Sequence, residues 1–444
     1  MVMEKMMPAA MDFLGIGGIG MSALARWALS QGIHVTGYDK VPSPLTQKLA
    51  AEGAVIRYSD QRKDWHIEPE AWVIYTPAIP AGHPQLQAAL ASDRRVLKRA
   101  ALLGEIANRG TCLAVAGTHG KTTTSCLLAW ILYQSGMPVQ AFLGGISSNL
   151  NSNFLPGPAD ITVVEADEFD RSFLHLHPTA AVVTSTDADH LDIYGDSQHV
   201  TEAFAVFSAQ CQTLYASAHA QGITGHIYGL SGETFRAEDI TVEEGRQSFT
   251  LVLDDQRITN VNAGLPGLHN IENALGAACL ANHVGVSMEA IAEGIRTFQG
   301  VRRRFDIRWA QQGCFYIDDY AHHPTEIQRL LEAVRSLYPG KEVSLIFQPH
   351  LYSRTRDFLD GFADALQGAD YLGILPIYAA RELPIPGVDA QALVDLIPHA
   401  TLLSFEEAAT WLTSSPSPIK LTVGAGDIDR LVDPIVEQLQ YLHV

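Results

Sequence analysis

Gly117-Thr118-His119-Gly120-Lys121-Thr122 sits where an apolar strand pattern, Cys112–Ala116, gives way to a helical one running to about Ser135. At such a junction backbone N–H groups and the helix dipole converge on an anion. Lys121 supplies a point charge for β- and γ-phosphates, and the Thr122 hydroxyl is a ligand for Mg²⁺. The strict phosphate-loop spacing fails at Val115, where its first glycine belongs. A glycine turn before a helix that happens to carry lysine is the plainer alternative. Strand, glycines, Lys-Thr and helix are nevertheless all in place, and the segment predicts an ATP-binding α/β domain.

The rest of the 444 residues is patterned in the same way, with room for about two to four domains. Met11–Leu14 leads into Gly15-Ile16-Gly17-Gly18-Ile19-Gly20, then a helix to about Gln31 and a strand His34–Tyr38 ending at Asp39. Further strands are expected at Trp72–Thr76 and Val96–Lys98. This strand–helix–strand rhythm predicts a doubly wound parallel sheet. Beyond the phosphate loop, strands are expected near Ile161–Glu165 and Ala180–Thr184, then strands with polar turns over 225–261. Helices follow at Ile271–His283 and Met288–Phe298. A third unit has expected strands Phe315–Asp318, Val343–Phe347, Tyr371–Leu375 and Leu421–Val423. Its helices are expected at Thr325–Tyr338, at Asp357–Gln367 and from Gly426 to about Leu442. The expected fold is α/β in three domains: Rossmann-like over 1–108, P-loop ATPase-like over 109–302 and Rossmann-like over 303–444.

Charge narrows the partners. Thirty basic against 49 acidic residues give a net −19, which argues against a coat on nucleic acid or anionic membrane. A few cations in a cleft still suffice for a small anionic ligand. Hydrophobic residues at 47% and charged residues at 18% exclude a disordered chain. The five cysteines are scattered and form no CxxC pair, as expected of a reducing compartment without disulfides or a zinc site. Asp12 and Arg26 interrupt the apolar N-terminal run, so it does not read as a signal peptide. A cytoplasmic protein is expected.

Two further clusters carry chemistry. Gly15-x-Gly17-Gly18-x-Gly20 followed by Asp39 fits a pyrophosphate under the glycines and an acid near a ribose. A nicotinamide dehydrogenase fits that loop, but so does any pyrophosphate ligand, including a nucleotide sugar, and a dehydrogenase needs no phosphate loop in its next domain. Tight strand–helix packing is the structural alternative. Glu165-Ala166-Asp167-Glu168 closes one strand, and Asp187-Ala188-Asp189-His190 follows a later one. The carboxyl ends of neighbouring parallel strands gather at one edge, and carboxylates there suit Mg²⁺. Arg302-Arg303-Arg304 reads as a phosphate clamp or a set of linker salt bridges. His322-His323-Pro324 reads as a helix-entry turn, and Arg381-Glu382 as an ion pair or a substrate contact.

Eight segments in order identify a family resemblance. They are Gly15–Ser22, Gly117–Thr124, Glu165–Glu168, Ala188–Asp192, His269–Asn273, Arg303–Phe305, Asp318–Glu326 and Gln348–Thr355. Together they resemble the Mur ligase family from about residue 11 to the C-terminus. The resemblance implies ATP-dependent ligation of L-alanine to the carboxylate of UDP-N-acetylmuramate through an acyl phosphate, by a monomer or weak homodimer. It implies that Gly17, Gly18, Gly20 and Asp39, with Thr76 and Arg99, hold the UDP-sugar. ATP would meet Gly117, Thr118, His119, Gly120, Lys121, Thr122 and Thr123, with His269, Asn270 and Asn273 around the adenine and Arg303 and Asp319 reaching the nucleotide on closure. Thr122, Glu165 and His190 would place Mg²⁺. Lys121, His190, His350 and Arg354 would carry the chemistry, with His350 or His323 as the base that deprotonates the amine. Several related ligases bridge a second metal with a carbamylated lysine, but no lysine occurs here between Lys121 and Lys341. The rival within the family is the murein-recycling ligase, which takes a ready-made tripeptide; Gln348–Thr355 and Ala188–Tyr194 resemble the alanine-adding branch instead. A nucleotide-binding module without activity is disfavoured by Lys121, Glu165 and His190.

Overall fold

Short, unbroken apolar runs form the strands, and burial on both faces is what parallel sheets require. Cys112 to Ala116 and Val343 to Phe347 are buried at every position. A computed structural model describes residues 7–186, 197–231, 234–243, 246–380 and 382–442. Three sheets organise them. The first is fully parallel, in the order Val55–Arg57, His34–Tyr38, Ala10–Leu14, Trp72–Tyr75, Val96–Lys98. The short first strand pairs along its whole length with His34–Tyr38. In the second, Thr111–Ala116 lies between Ala180–Val183 and Ile161–Glu165, so the phosphate loop leaves from the middle of a sheet. In the third, Cys314–Asp319, Ile419–Val423, Val343–Phe347, Tyr371–Ile374 and Ala400–Leu402 run parallel, with Asp306–Gln311 as an antiparallel edge. The three-sheet α/β architecture matches the fold expected from the sequence. None of the five cysteines is in a disulfide.

By their contacts, Met1–Glu238, Leu251–Thr259 and Glu272–Phe298 make one compact unit, and Asp239–Thr250, Asn260–Ile271 and Gln299–Val444 a second. Most expected elements are present within a residue or two. Two helices differ. The helix expected over Asp357–Gln367 is present as Leu359–Leu366, but an additional short helix, Tyr352–Asp357, precedes it and meets it at Phe358. Phe358 has a non-helical φ of −120° and its ring packs edge-on against His323 at 4.7 Å. The last helix opens as a 3-10 turn, Asp427–Leu431, before Val432–Leu442. There the Gln348 amide donates to Asp427 Oδ1 at 2.8 Å and accepts from the Ile428 N–H at 2.9 Å, which pins the tighter turn.

A hairpin absent from the sequence reading, Val139–Ser147 with Ser152–Leu155, joins the first two sheets within the first unit. Asn153 is fully buried and donates to Ile19 O at 2.6 Å and Ser22 Oγ at 2.9 Å, while its carbonyl accepts from Arg26 Nη1. Arg26, itself buried, also pairs with Glu52 at 2.7 Å. Asp12 in the first strand is fully buried too. It accepts from Arg57 twice (2.7 and 2.8 Å), Thr36 (2.6 Å) and Trp65 (3.0 Å). Among the described residues, no helix is long and apolar enough to cross a membrane.

Candidate functional site

The phosphate loop takes its shape from glycine. Gly120, the residue before helix Lys121–Gln134, has φ +83°, and a Cβ there would stand 2.4 Å from Asn273 Oδ1. Both facts exclude larger residues without strain. The neighbouring strand end splints the loop: Thr118 N donates to Ser185 O at 3.1 Å, His119 N to Ser185 Oγ at 2.9 Å, and Thr184 Oγ1 to His119 O. Thr124 Oγ1 donates to Asn273 Oδ1 at 3.2 Å, which fixes Asn273 against the first helical turn. The opening amides of the helix, from Lys121, Thr122 and Thr123, have no intrahelical acceptor and suit an anion.

Lys121 folds back over this loop. Its Nζ donates to Gly117 O at 2.7 Å, Thr118 O at 3.3 Å and both carboxylate oxygens of Glu168, at 2.9 and 2.7 Å. Both side chains are largely buried, at 12% and 3% exposure. Burial works against the lysine charge, but Glu168, then Asp167 and Glu165, outweigh it and raise its pKa to about 12. Glu168 belongs to the Glu165–Glu168 run yet has no role in the sequence-derived site. A contact across 47 residues leaves no local signal beyond an acid near a strand end.

Glu165 closes strand Ile161–Glu165 and is held from behind. Gly144 N donates to its Oε2 at 3.1 Å, and Ser125 Oγ lies 3.5 Å away. A Cβ on Gly144 would stand 2.2 Å from either carboxylate oxygen. Among the described residues no three His, Cys, Asp or Glu side chains converge as a metal site. Asp187–His190, including the candidate ligand His190, lie outside the described residues, as do the rest of Ala188–Tyr194 and Arg381.

The first glycine loop opens on the same region of this unit. A cavity of about 240 Å³ is lined by Gly18, Gly20, Thr76 and Arg99 from the first sheet and by Glu165 and Asp167 from the second. Four of the six expected UDP-sugar residues thus share one cavity with a candidate metal ligand. The other two support the loop: Gly17 N donates to Asp39 Oδ2 at 2.8 Å. Arg99 donates to Ser172 Oγ at 3.3 Å and lies 3.6 Å from Asp167.

In the second unit His350 stacks on Tyr378, with ring centroids 5.8 Å apart, and its Nδ1 lies 3.5 Å from Arg354 Nη1. Leu351, between His350 and helix Tyr352–Asp357, adopts φ +69°, a strained conformation that recurs at functional sites. His322 faces His350 at 6.1 Å and has Glu326 at 3.2 Å. Burial, only partly opposed by Glu326, lowers its pKa to about 4, so its ring is neutral at pH 7. His323 caps helix Pro324–Leu337 as the expected helix-entry turn does, Nδ1 accepting from Thr325 N at 3.4 Å.

Arg303 pairs with Asp318 at 3.2 Å and donates to Gly424 O at 2.6 Å. Asp319 accepts from the Phe305 and Ala321 amides at 2.6 and 2.7 Å. Burial raises its pKa to about 6, against the pull of Arg304 and those two amides. His269 is half-buried, and its pKa is lowered to about 4, by desolvation first and Arg329 second. Asn270 donates to Pro266 O at 2.6 Å. In this chain Asp319 and Asn270 thus brace their own loops.

Known proteins match along nearly the whole chain. Residues 10–111 match the Mur ligase family, catalytic domain; 115–281 the Mur ligase middle domain; and 303–426 the Mur ligase, glutamate ligase domain. The UDP-N-acetylmuramate–L-alanine ligase of Flavobacterium johnsoniae is 44% identical over 438 residues, covering 96% of this chain and 97% of its own. That of Flavobacterium psychrophilum is 45% identical over 436 residues, with the same coverage. The crystal structure of the UDP-N-acetylmuramate–alanine ligase of Thermotoga maritima superposes with a TM-score of 0.86 at 27% identity, covering 98% of this chain and 99% of that one. A murein peptide ligase from Psychrobacter arcticus shares the fold at a TM-score of 0.70 and 22% identity.

Proposed function

The chain belongs to the Mur ligase family, and from that premise we propose that it joins L-alanine to the carboxylate of UDP-N-acetylmuramate at the expense of ATP. The observation that carries this reading is identity of 44–45%, over 96% of the chain, to ligases of that name. The cavity that joins the glycine loop to Glu165 supports it in this chain's own residues. The dehydrogenase reading has no such support, and the murein peptide ligase of Psychrobacter arcticus is more distant, at 22% identity and a TM-score of 0.70.

A carboxylate is a poor electrophile. One of its oxygens attacks the γ-phosphorus, the bond from that phosphorus to the β-bridging oxygen breaks, and ADP leaves an acyl phosphate. The L-alanine amine then attacks the acyl carbon, and the tetrahedral adduct expels phosphate to give the amide. Lys121, with the loop amides, offsets charge on the transferring phosphoryl oxygens. Gly18, Gly20, Thr76 and Arg99 hold the UDP-sugar so that its acid end approaches the second sheet. One proton must leave the ammonium before attack. His350 is favoured over His323 for that task, because His323 is committed to capping its helix. Arg354, beside His350, suits the carboxylate of the incoming amino acid.

The oxygen donors Thr122 and Glu165 fit Mg²⁺, since hard oxygen ligands suit that ion and the Gly144 amide holds the Glu165 carboxylate in place at the strand end. Bound there, the ion would neutralise phosphate charge. Gly144→Ala is expected to displace Glu165 and raise the Mg²⁺ concentration for half-maximal turnover about 10- to 100-fold, as loss of support behind a metal ligand does. A magnesium titration of phosphate release reads this directly, and an unchanged midpoint removes Glu165 from the metal site.

Assigning domains over 1–108, 109–302 and 303–444, and placing the enzyme in the cytoplasm, belong to the same proposal. The deciding experiment is phosphate release from ATP and UDP-N-acetylmuramate with L-alanine or tripeptide as acceptor. Turnover is expected with L-alanine. Faster release with tripeptide would reassign the chain to murein recycling.

A further inference from the structure

The phosphate-loop lysine has a strong anionic partner within its own chain. Lys121 Nζ has three N–H donors. The structure places four oxygens within reach of them: two from its own loop and two from the Glu168 carboxylate, the latter at 2.7 and 2.9 Å. To meet a phosphate oxygen, the ammonium must give up at least one of these bonds. Glu168 is 2% exposed as a residue and sits just after the strand Ile161–Glu165, so it cannot simply swing into solvent as a surface partner would.

We propose that Glu168 is a latch that holds Lys121 in the nucleotide-free enzyme and competes with the triphosphate for the same ammonium. This deepens the ligase reading and rests on it. The latch has two opposed effects. It satisfies a buried charge while the loop is empty, since a lysine left unpaired at that depth is costly. It also places a second anion beside the arriving phosphates, where low polarisability strengthens repulsion. Glu168 therefore acts through Lys121 and is a positioning residue. Its removal should weaken the empty protein and tighten its grip on ATP, a combination that a purely structural residue does not produce.

Glu168→Gln tests this, because the amide keeps the shape and one acceptor while removing the charge. Binding of a non-hydrolysable ATP analogue with Mg²⁺ is measured by calorimetry on the full chain, alongside thermal unfolding with and without the analogue. The expected result is a Kd lower by about tenfold, the scale of one charge-assisted hydrogen bond released from competition. A lower Tm without nucleotide and a larger nucleotide-induced rise should accompany it. Glu168→Asp, which keeps the charge but withdraws it by one methylene, should shift the Kd the same way by less and covers the case in which the amide variant does not fold. An unchanged or higher Kd in the folded variants overturns the latch. Failure of the unsubstituted protein to bind the analogue would instead overturn the ligase reading, so the two failures are distinct.

Discussion

Lys121→Ala is expected to cut kcat for phosphate release by at least about 10²–10³-fold, the loss seen when one preorganised donor to developing charge is removed. The ammonium is the cation that the structure seats directly over the phosphate loop, at the start of helix Lys121–Gln134. Binding of UDP-N-acetylmuramate, which the first sheet and Arg99 would provide, should persist within a few-fold. Steady-state phosphate release and calorimetric titration of the sugar nucleotide separate the two effects. The substitution also takes the Lys121 ammonium from Glu168 and empties the volume of the stem, so Lys121→Met, which keeps the packing of the stem, should be measured beside it. Near-normal turnover in either folded variant would remove the triphosphate from the loop.

The second large effect is on stability. Asp12→Ala is expected to destabilise the protein by about 3–5 kcal/mol, as loss of one partner from a buried ion pair typically does. The carboxylate has no exposure and takes both Arg57 nitrogens, the Thr36 hydroxyl and the Trp65 ring N–H. Without it, among the described residues, Arg57 keeps the Gln85 side-chain carbonyl at 2.8–3.0 Å. Chemical denaturation followed by intrinsic fluorescence reports the change. A shift below about 1 kcal/mol, the range of exposed pairs, would mean that the network is solvated and not structural.

That network marks the limit of what the sequence discloses. Strands and the phosphate loop are legible because their cues are local: apolar runs, glycines at a junction, Lys-Thr at a helix start. Gly18 and Gly20 come from the same loop pattern, Thr76 and Arg99 only from the family resemblance, and the four line one cavity. Asp12 and Arg26, by contrast, read only as charges interrupting an apolar run. Their partners lie 45 and 127 residues away, at Arg57 and Asn153, and no spacing rule reaches so far. Glu168 escapes for the same reason, since an acid after a strand is ordinary until its cation is seen. The hairpin 139–155 is missed because its buried Gln140 and Asn153 break the apolar alternation. Each is instead satisfied by a distant group, Thr162 Oγ1 at 3.0 Å and Ser22 Oγ at 2.9 Å.

The stitching of helix Ile19–Ser30 to that hairpin through Arg26 and Asn153 bears on protein engineering. The N-terminal lobe, proposed to hold the sugar nucleotide, is not a cassette that can be lifted out and exchanged at a loop near residue 108. A chimera cut there would take Ile19, Ser22 and Arg26 from the Asn153 carboxamide and leave the Arg26 guanidinium with Glu52 but not Asn153. Transplants should therefore carry 139–155 along with the donor lobe, or recode both faces of the seam together.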